Sequence, residues 1–227
     1  MLHVIANVTR SGRFLLALAI TGFGVELLVY GQFVRGLPPV PPWTPVSPGV
    51  AYLVGAVLVA AGVGMLTEAA THLSAMVVGA VFIFSAVVLH GLHARAVLLA
   101  GDSRTGAFEA LSLGAAALVL VAPTPREAAS AASRRSRVVA LVGRQLFAVS
   151  MIVFGAQHYL YTAFVATLVP PWLPGHIFWT YLTGTGFIAA GLAIAVNVKA
   201  SLAATLLGVM FFLWWTRRPS SGPDGWR

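Results

Sequence analysis

Apolar runs alternate with short polar or proline-rich segments along the whole chain. A helix of about 20 apolar residues crosses the roughly 30 Å hydrocarbon core of a bilayer, and the runs are close to this length. The pattern predicts seven membrane spans, at residues 14–34, 49–66, 72–90, 106–122, 145–165, 177–196 and 199–215. The sequence therefore predicts an all-α protein, a polytopic transmembrane helix bundle.

Composition supports the same class. The 227 residues are 59% hydrophobic and 9% charged, whereas soluble domains carry about 25% charged residues. The formal charge is +8, but the basic residues lie between the apolar runs, where they anchor helices to anionic headgroups. This favours the lipid bilayer, and not nucleic acid, as the partner. Because cysteine is absent, disulfides, zinc–thiolate sites and covalently attached c-type haem are excluded.

The sequence contains an internal repeat. The segment from Phe23 to Leu37 matches that from Phe154 to Leu168 at an offset of 131, as F-G-x-E/Q-x-x-x-Y-x-x-F-V-x-x-L. After a slip of two residues, the P-P-W-x-P of residues 41–45 matches that of residues 170–174 at an offset of 129. The second offset also pairs Tyr52 with Tyr181, Gly55 with Gly184, Ala60-Ala61-Gly62 with Ala189-Ala190-Gly191, Ala75 with Ala204, Gly79 with Gly208 and Phe82 with Phe211.

The repeat predicts the domain organisation and the topology. We expect a first unit at residues 1–123, a basic cytoplasmic linker at 124–143, a second unit of three helices at 144–215 and a polar tail at 216–227. Four spans precede the linker, so the chain returns to its starting side and the two four-helix-type units are parallel. The basic linker predicts that it and the N-terminus lie in the cytoplasm, in an inner (plasma) membrane.

Both P-P-W-x-P loops are then expected at the outer face. Proline ends a helix and favours extended backbone. A tryptophan in such a loop, Trp43 or Trp172, prefers the headgroup region, where its N–H stays hydrated. The favoured interpretation is a rigid interfacial turn, and the alternative is a lid over a pocket between helices.

Polar side chains interrupt the first apolar run of each unit. Glu26 lies about 3 Å from the middle of its predicted span, where an ionisable group costs about 2.5–3.5 kcal/mol. The repeat puts Gln157 at the same place, with His158 beside it. Helical spacing predicts one stripe of Glu26, Tyr30 and Phe33 and another of Gln157, Tyr161 and Phe164. The hypotheses are an interhelical hydrogen-bond clamp, which is favoured, a pocket for a polar or redox-active lipid, and a proton-relay or metal role.

The remaining polar residues do not indicate catalysis. His90 and His93 share a helical face, but two histidines without further ligands are weak evidence for a metal. A haem bound by His90 and His158 can be drawn, although nothing in the spacing demands it. The sequence has no Ser-His-Asp set, phosphate-binding glycine loop or pair of catalytic carboxylates. We therefore predict no metal, no evident cofactor and no enzymatic activity of the chain on its own.

The segment from Gly155 to Gly191, G-A-Q-H-Y-L-Y-x-x-F-V-x-x-L-V-P-P-W-L-P-G-H-I-F-W-x-Y-x-x-G-x-x-x-I-A-A-G, resembles the DoxX-like family of small bacterial membrane proteins. The resemblance is strongest over residues 144–215. It implies four-helix bundles and, for some members, a link to quinone-coupled sulfur oxidation. The second unit departs from the pattern, because T-R-R-P-S-S-G-P-D-G-W-R stands where a fourth helix is expected. We expect an interrupted gene or a helix docked from another chain.

These observations lead to one functional hypothesis and one alternative. The first is an accessory membrane subunit that binds a quinone or another lipid beside a membrane redox enzyme, or within a homo-oligomer. The alternative is a small-solute or proton-coupled transporter that uses Glu26 and His158 at the membrane midplane. The candidate ligand-binding residues are Glu26, Tyr30, Trp43, Gln157, His158, Tyr161 and Trp172.

Overall fold

The computed structural model describes residues 2–33, 47–123 and 131–216, and within these ranges the chain forms helices joined by turns. The helices are α1 (Leu2–Tyr30), α2 (Pro48–Leu66), α3 (Thr71–Phe84), α4 (Ala94–Leu99), α5 (Gly101–Val119), α6 (Ala131–Leu160), α7 (Thr162–Thr167), α8 (His176–Ala195) and α9 (Ala200–Thr216). A π-helical segment, Ser85–Leu89, continues α3. The prediction of an all-helical fold is confirmed for the described residues.

Five helical segments are long and apolar enough to cross a membrane, so the chain is a multi-pass membrane protein. They are Arg10–Tyr30, Pro48–Leu66, Thr71–Leu89, Ser133–Leu160 and His176–Ala195. The other two predicted spans correspond to α5 and α9. Helix α5 carries three charged residues, Asp102, Arg104 and Glu109, and the apolar part of α9, Ala200–Leu213, is shorter.

The chain divides into two compact units, Met1–Ser150 and Met151–Arg227. In unit 1, α1 and α2 run antiparallel and touch backbone to backbone. A Cβ atom placed on Gly24 would lie 2.7 Å from the carbonyl oxygen of Gly55 and 2.7 Å from the backbone nitrogen of Val59. Small residues permit this approach between helices in lipid, where no hydrophobic force drives helices together.

The remaining helices of unit 1 pack in the same way. A Cβ atom on Gly79 of α3 would lie 2.9 Å from Cγ of Leu118 in α5, and one on Gly114 would lie 3.1 Å from the nitrogen of Ile83. The rings of Phe23 and Phe82 are 6.5 Å apart and join α1 to α3. The largest fully buried side chains of the unit include Phe82, Ile20, Leu58 and Met65.

Polar contacts gather the ends of four helices at one end of unit 1. Arg13 in α1 forms an ion pair with Glu68 in the turn between α2 and α3. His72 Nε2, at the start of α3, lies 3.1 Å from Ser136 Oγ near the start of α6. We call this the basic end, since Arg10 and Arg135 also lie in these segments. Helices α1 and α6 thus begin at the same end of unit 1.

The predicted linker is helical over much of its length. Residues 131–143 form the first turns of α6, which continues without a break to Leu160; the linker role of these residues stays a prediction. The reason for the helix is composition: A-A-S-R-R-S-R-V-V-A-L-V contains no proline or glycine, and alanine and arginine are strong helix formers. Residues 124–130 and the tail from 217 onward lie outside the described residues.

Unit 2 contains the end of α6 with α7, α8 and α9. A Cβ atom on Gly155 of α6 would lie 2.6 Å from the carbonyl oxygen of Gly184 in α8. The ring of Phe187 lies 6.1 Å from that of Phe154 and 5.5 Å from that of Phe211, edge to face in both cases. One aromatic side chain of α8 therefore joins α6 to α9.

The glycine contacts predict a graded set of stability effects. We expect Gly24→Ala and Gly155→Ala each to cost about 1–3 kcal/mol, because the new methyl group meets backbone that cannot move aside. Gly208→Ala, on α9, should be close to neutral, since no described atom lies within 4 Å of the added group. Thermal unfolding in detergent measures the three variants. Equal midpoints for all three would contradict the glycine-mediated packing.

Candidate functional site

The candidate site lies where the last turn of α6 meets α8. A Cβ atom on Gly184 would lie 2.7 Å from the Cβ of His158, so the histidine is held at the point of closest approach between the helices. Its ring centroid is 5.4 Å from that of Phe187. The imidazole is half-buried and packs against an aromatic side chain inside the unit.

A backbone carbonyl fixes the protonation pattern of this imidazole. His158 Nδ1 lies 2.8 Å from the carbonyl oxygen of Phe154, one turn earlier in α6. Because a carbonyl oxygen can only accept, we assign a hydrogen to Nδ1, and in this tautomer Nε2 keeps its lone pair. In the described part of the chain Nε2 has no hydrogen-bond partner. The site can therefore accept one hydrogen bond from a hydroxyl or amide donor.

Tyrosine and tryptophan side chains surround this end of unit 2. Tyr159 stacks on Tyr181 with ring centroids 5.2 Å apart, and its hydroxyl lies 2.5 Å from Thr185 Oγ1. Trp179 donates its indole N–H to the carbonyl oxygen of Pro174 at 3.0 Å. Amphipathic aromatic residues of this kind are enriched at the membrane–water boundary. The histidine thus lies near one boundary of the bilayer.

The second P-P-W-x-P segment forms a tight turn next to this site. The backbone nitrogen of Leu173 donates to the carbonyl oxygen of Pro170 at 2.9 Å, and Gly175, with φ +76°, precedes α8. Trp172 is 56% exposed, as expected of a ring in the headgroup region. This geometry is that of a rigid turn. Trp43, the corresponding residue of the first loop, lies outside the described residues.

The predicted stripes are shorter than expected, because both helices end early. Helix α1 ends at Tyr30, followed by Gly31 at φ +61°, so Phe33 is not on the helix. Helix α6 ends at Leu160, and Tyr161 adopts a non-helical conformation before α7. Tyr161 and Phe164 therefore do not continue the helical face of Gln157.

The hydroxyl group of Thr162 forms hydrogen bonds with carbonyl groups at the end of α6. Thr162 Oγ1 donates within its own turn, 3.0 Å from the carbonyl oxygen of His158 and 2.9 Å from that of Tyr159. Carbonyl groups at a helix end lack partners in the helix, and such bonds satisfy them. The last turn, which carries Gln157 and His158, is thereby held in place.

The predicted depth of the polar residues is also corrected. The apolar part of α1 runs from Arg10 to Tyr30 and is centred on Ile20, so Glu26 lies six residues, or about 9 Å, from the centre. Gln157 and His158 lie in the last turn of α6. These side chains are near helix ends and away from the middle of the apolar helices, because α1 and α6 begin before and end before the predicted spans.

The corresponding place in unit 1 is apolar. Leu27, 131 residues before His158, is buried, and its Cβ is 3.0 Å from a Cβ placed on Gly55. Glu26 is half-buried, and Tyr30 is 62% exposed. Gln157, the counterpart of Glu26, is buried. The sequence located the polar pair but did not indicate that His158 lies at the closest approach of α6 to α8. The signal was available in the repeat, which aligns His158 with a leucine.

His90 is more deeply buried than His158. It follows the π-helical segment at the end of α3 and is 4% exposed. A Cβ atom on Gly106 of α5 would lie 3.3 Å from its Cε1. Among the described residues no group of three or more His, Cys, Asp or Glu side chains could hold a metal ion.

Comparisons with protein-family models, with curated proteins and with solved structures give no match for this chain. The DoxX-like resemblance therefore remains an interpretation of the sequence motifs. The functional argument depends on the geometry around His158.

The buried His90 predicts a pH-dependent stability. Burial lowers the pKa of His90, so the folded protein keeps the ring neutral while the unfolded chain binds a proton below about pH 6.5. The stabilisation is present above about pH 6.5 and is lost as the pH falls below it. Thermal midpoints should therefore decrease from about pH 7.5 to about pH 5.5.

The variant His90→Gln should show a smaller decrease over the same range, because no titrating ring remains at that position. His72→Gln removes an exposed histidine from the basic end and is the matched control. If His90→Gln leaves the decrease unchanged while His72→Gln reduces it, the assignment to His90 is wrong.

Proposed function

We propose that the protein binds the head group of a quinol or of another hydroxyl-bearing lipid at His158, as an accessory subunit of a membrane redox enzyme. The observation that carries the proposal is the imidazole between α6 and α8, with Nδ1 bound to the carbonyl of Phe154 and Nε2 without a partner among the described residues. A polar side chain held in an apolar helix interface is costly, and such residues usually mark a functional site.

The chemistry of the site fits an aromatic diol. A hydroxyl group of a quinol donates to Nε2, and its ring packs against Phe187, whose centroid is 5.4 Å from the imidazole. Aromatic contacts of this kind add about 0.5–1.5 kcal/mol to the area buried. The isoprenoid tail stays in the hydrocarbon, because the site lies in the last turn of α6, near the bilayer boundary.

We further propose that the chain is a tandem of two parallel, DoxX-like repeats. Three structural correspondences support the repeat. The Gly24–Gly55 contact recurs as Gly155–Gly184, Leu27 and His158 meet the second glycine of each pair, and Phe23 and Phe82 correspond to Phe154 and Phe211, both of which contact Phe187. Helices α1 and α6 begin at the same end of unit 1, which supports the parallel arrangement.

We place the basic end in the cytoplasm and the N-terminus with it, in the inner membrane. Arg10, Arg13 and the arginines near the start of α6 lie in the segments that meet at this end. Positively charged residues flanking spans are retained on the cytoplasmic side. The His158 site then lies toward the outer face. The position of Glu26 and His158 near helix ends favours the lipid-binding proposal over the transporter alternative.

The repeat supplies the variant that tests the quinol proposal. His158→Leu places in the second repeat the residue that the first repeat already carries at Leu27, so the fold should persist with an unchanged thermal midpoint. Loss of one hydrogen bond should weaken binding of a short-chain benzoquinol about tenfold. Quenching of tryptophan fluorescence in mild detergent measures the affinity.

Leu27→His is the matched control, since it adds an imidazole at the same contact of the first repeat and leaves His158 intact. We expect it to retain wild-type affinity at the His158 site. Equal affinities for His158→Leu and the wild type would refute the proposal. Mass spectrometry of lipid extracts from wild type and His158→Leu checks the native ligand in parallel.

The orientation is tested separately with reporter fusions. A fusion near residue 130 should report the cytoplasm, and fusions near Trp43 and Trp172 should both report the outer side, because the repeats are parallel. Reporters at Trp43 and Trp172 on opposite sides of the membrane would exclude the parallel arrangement.

A further inference from the structure

Arg144 is a cation within the apolar helix α6. It lies eleven residues after Ser133, where the span begins, and its side chain is half-buried. Its Nε atom is buried and makes no hydrogen bond. No ion pair joins Arg144 to any described residue. Part of this guanidinium is therefore withdrawn from water, and no described residue supplies an anion for it.

In the first repeat the arginine at the corresponding position forms an ion pair. Arg13 precedes Arg144 by the repeat offset of 131 and forms an ion pair with Glu68. Arg10 also approaches Glu68, at 3.8 Å. Glu68 lies in the turn between α2 and α3 with φ +61°. The charge of Arg13 is thus neutralised within unit 1.

The second repeat keeps the turn but not the carboxylate. Asn197 follows Glu68 by the offset of 129 and has the same left-handed backbone, with φ +58°. An asparagine carries no charge, so this counter-ion is not repeated in the described part of the second repeat. An unpaired charge withdrawn from water is strongly unfavourable. An anion from outside the chain would remove this cost.

The position of Arg144 indicates which anion is available. Helical side chains tilt toward the N-terminus, so the guanidinium of Arg144 extends along α6 toward the basic end. Arg137 lies seven residues earlier, on the same helical face, and is exposed there. The chain has only six Asp and Glu residues against 14 Lys and Arg. Phosphate oxyanions of lipid headgroups are the anions at this depth, and guanidinium binds them through two parallel N–H donors.

We infer that Arg144 is a binding site for the phosphate group of an anionic phospholipid at the basic end. This site is distinct from the His158 site, because 14 residues of helix separate the two by about 21 Å. It does not depend on the quinol proposal. The lipid neutralises Arg144 in the way that Glu68 neutralises Arg13.

The test measures lipid retention by native mass spectrometry after delipidation in mild detergent. Dioleoyl phosphatidylglycerol is the probe, dioleoylglycerol with the same chains lacks the phosphate, and inorganic phosphate is added alone. We expect the wild type to bind phosphatidylglycerol but not dioleoylglycerol, and Arg144→Gln to bind it at least tenfold more weakly. Arg135→Gln removes an exposed arginine of the same helix and should bind as the wild type does.

Two further variants make the test specific. Glu68→Gln should release Arg13 and add a second phosphatidylglycerol site of similar affinity. Arg144→Lys keeps the charge but loses the planar donor pair, so it should bind several-fold more weakly, and it serves if Arg144→Gln does not fold.

Three results would overturn the inference. One is an equal loss of binding in Arg144→Gln and Arg135→Gln, which would indicate a diffuse surface charge. Another is wild-type affinity in Arg144→Lys. The third is saturation of the site by inorganic phosphate at millimolar concentration with no added retention of phosphatidylglycerol, which would identify free phosphate as the ligand.

Discussion

Backbone contact at paired glycines is the constraint on which the rest of the structure depends. In lipid the tails are as apolar as leucine, so helices associate through close packing and not through exclusion of water. At the Gly24–Gly55 and Gly155–Gly184 pairs the two helix backbones are very close. A Cβ atom added to the first glycine of each pair would lie within 2.7 Å of the carbonyl oxygen of the second. Weak Cα–H···O contacts are possible at such distances. Each pair fixes the register of two antiparallel helices and therefore decides which neighbouring side chains face each other.

The register set by the glycines explains how a polar group can sit in the interface. The residue three positions after Gly155 meets Gly184, and the residue at the same spacing after Gly24 meets Gly55. In the first case it is His158 and in the second Leu27. The leucine packs against the glycine and has no polar side-chain atoms, whereas both nitrogens of the imidazole need hydrogen-bond partners. Phe154 supplies one of them from the turn below. The second nitrogen, Nε2, is held in position by the packed helices α6 and α8. A polar group held on packed helices favours specific binding.

Much of the fold could be predicted from the sequence, because it depends on composition and on residues with one dominant conformational effect. The membrane class follows from 59% hydrophobic residues, and the turn at Trp172 follows from three prolines that cannot continue a helix. The helix ends could not be predicted. Gly31 and Tyr161 stop α1 and α6 inside apolar runs, and hydropathy does not distinguish a helix from the turn that ends it. The helical start of α6 could not be predicted from hydropathy either, because its first turns contain polar arginines and precede the apolar part of the helix.

The differences between the repeats are concentrated in their polar residues. Glu26 corresponds to Gln157, Leu27 to His158 and Glu68 to Asn197, while Gly24, Gly55, Phe23 and Phe82 keep the same residue type in the second repeat. The first repeat pairs its charges internally, as Arg13 does with Glu68. In the second repeat the carboxylates are replaced by amides, and the arginine and the histidine each keep a group without a partner among the described residues. In both of our proposals the ligand meets a polar group that has no partner among the described residues, at His158 near one end of α6 and at Arg144 toward the other.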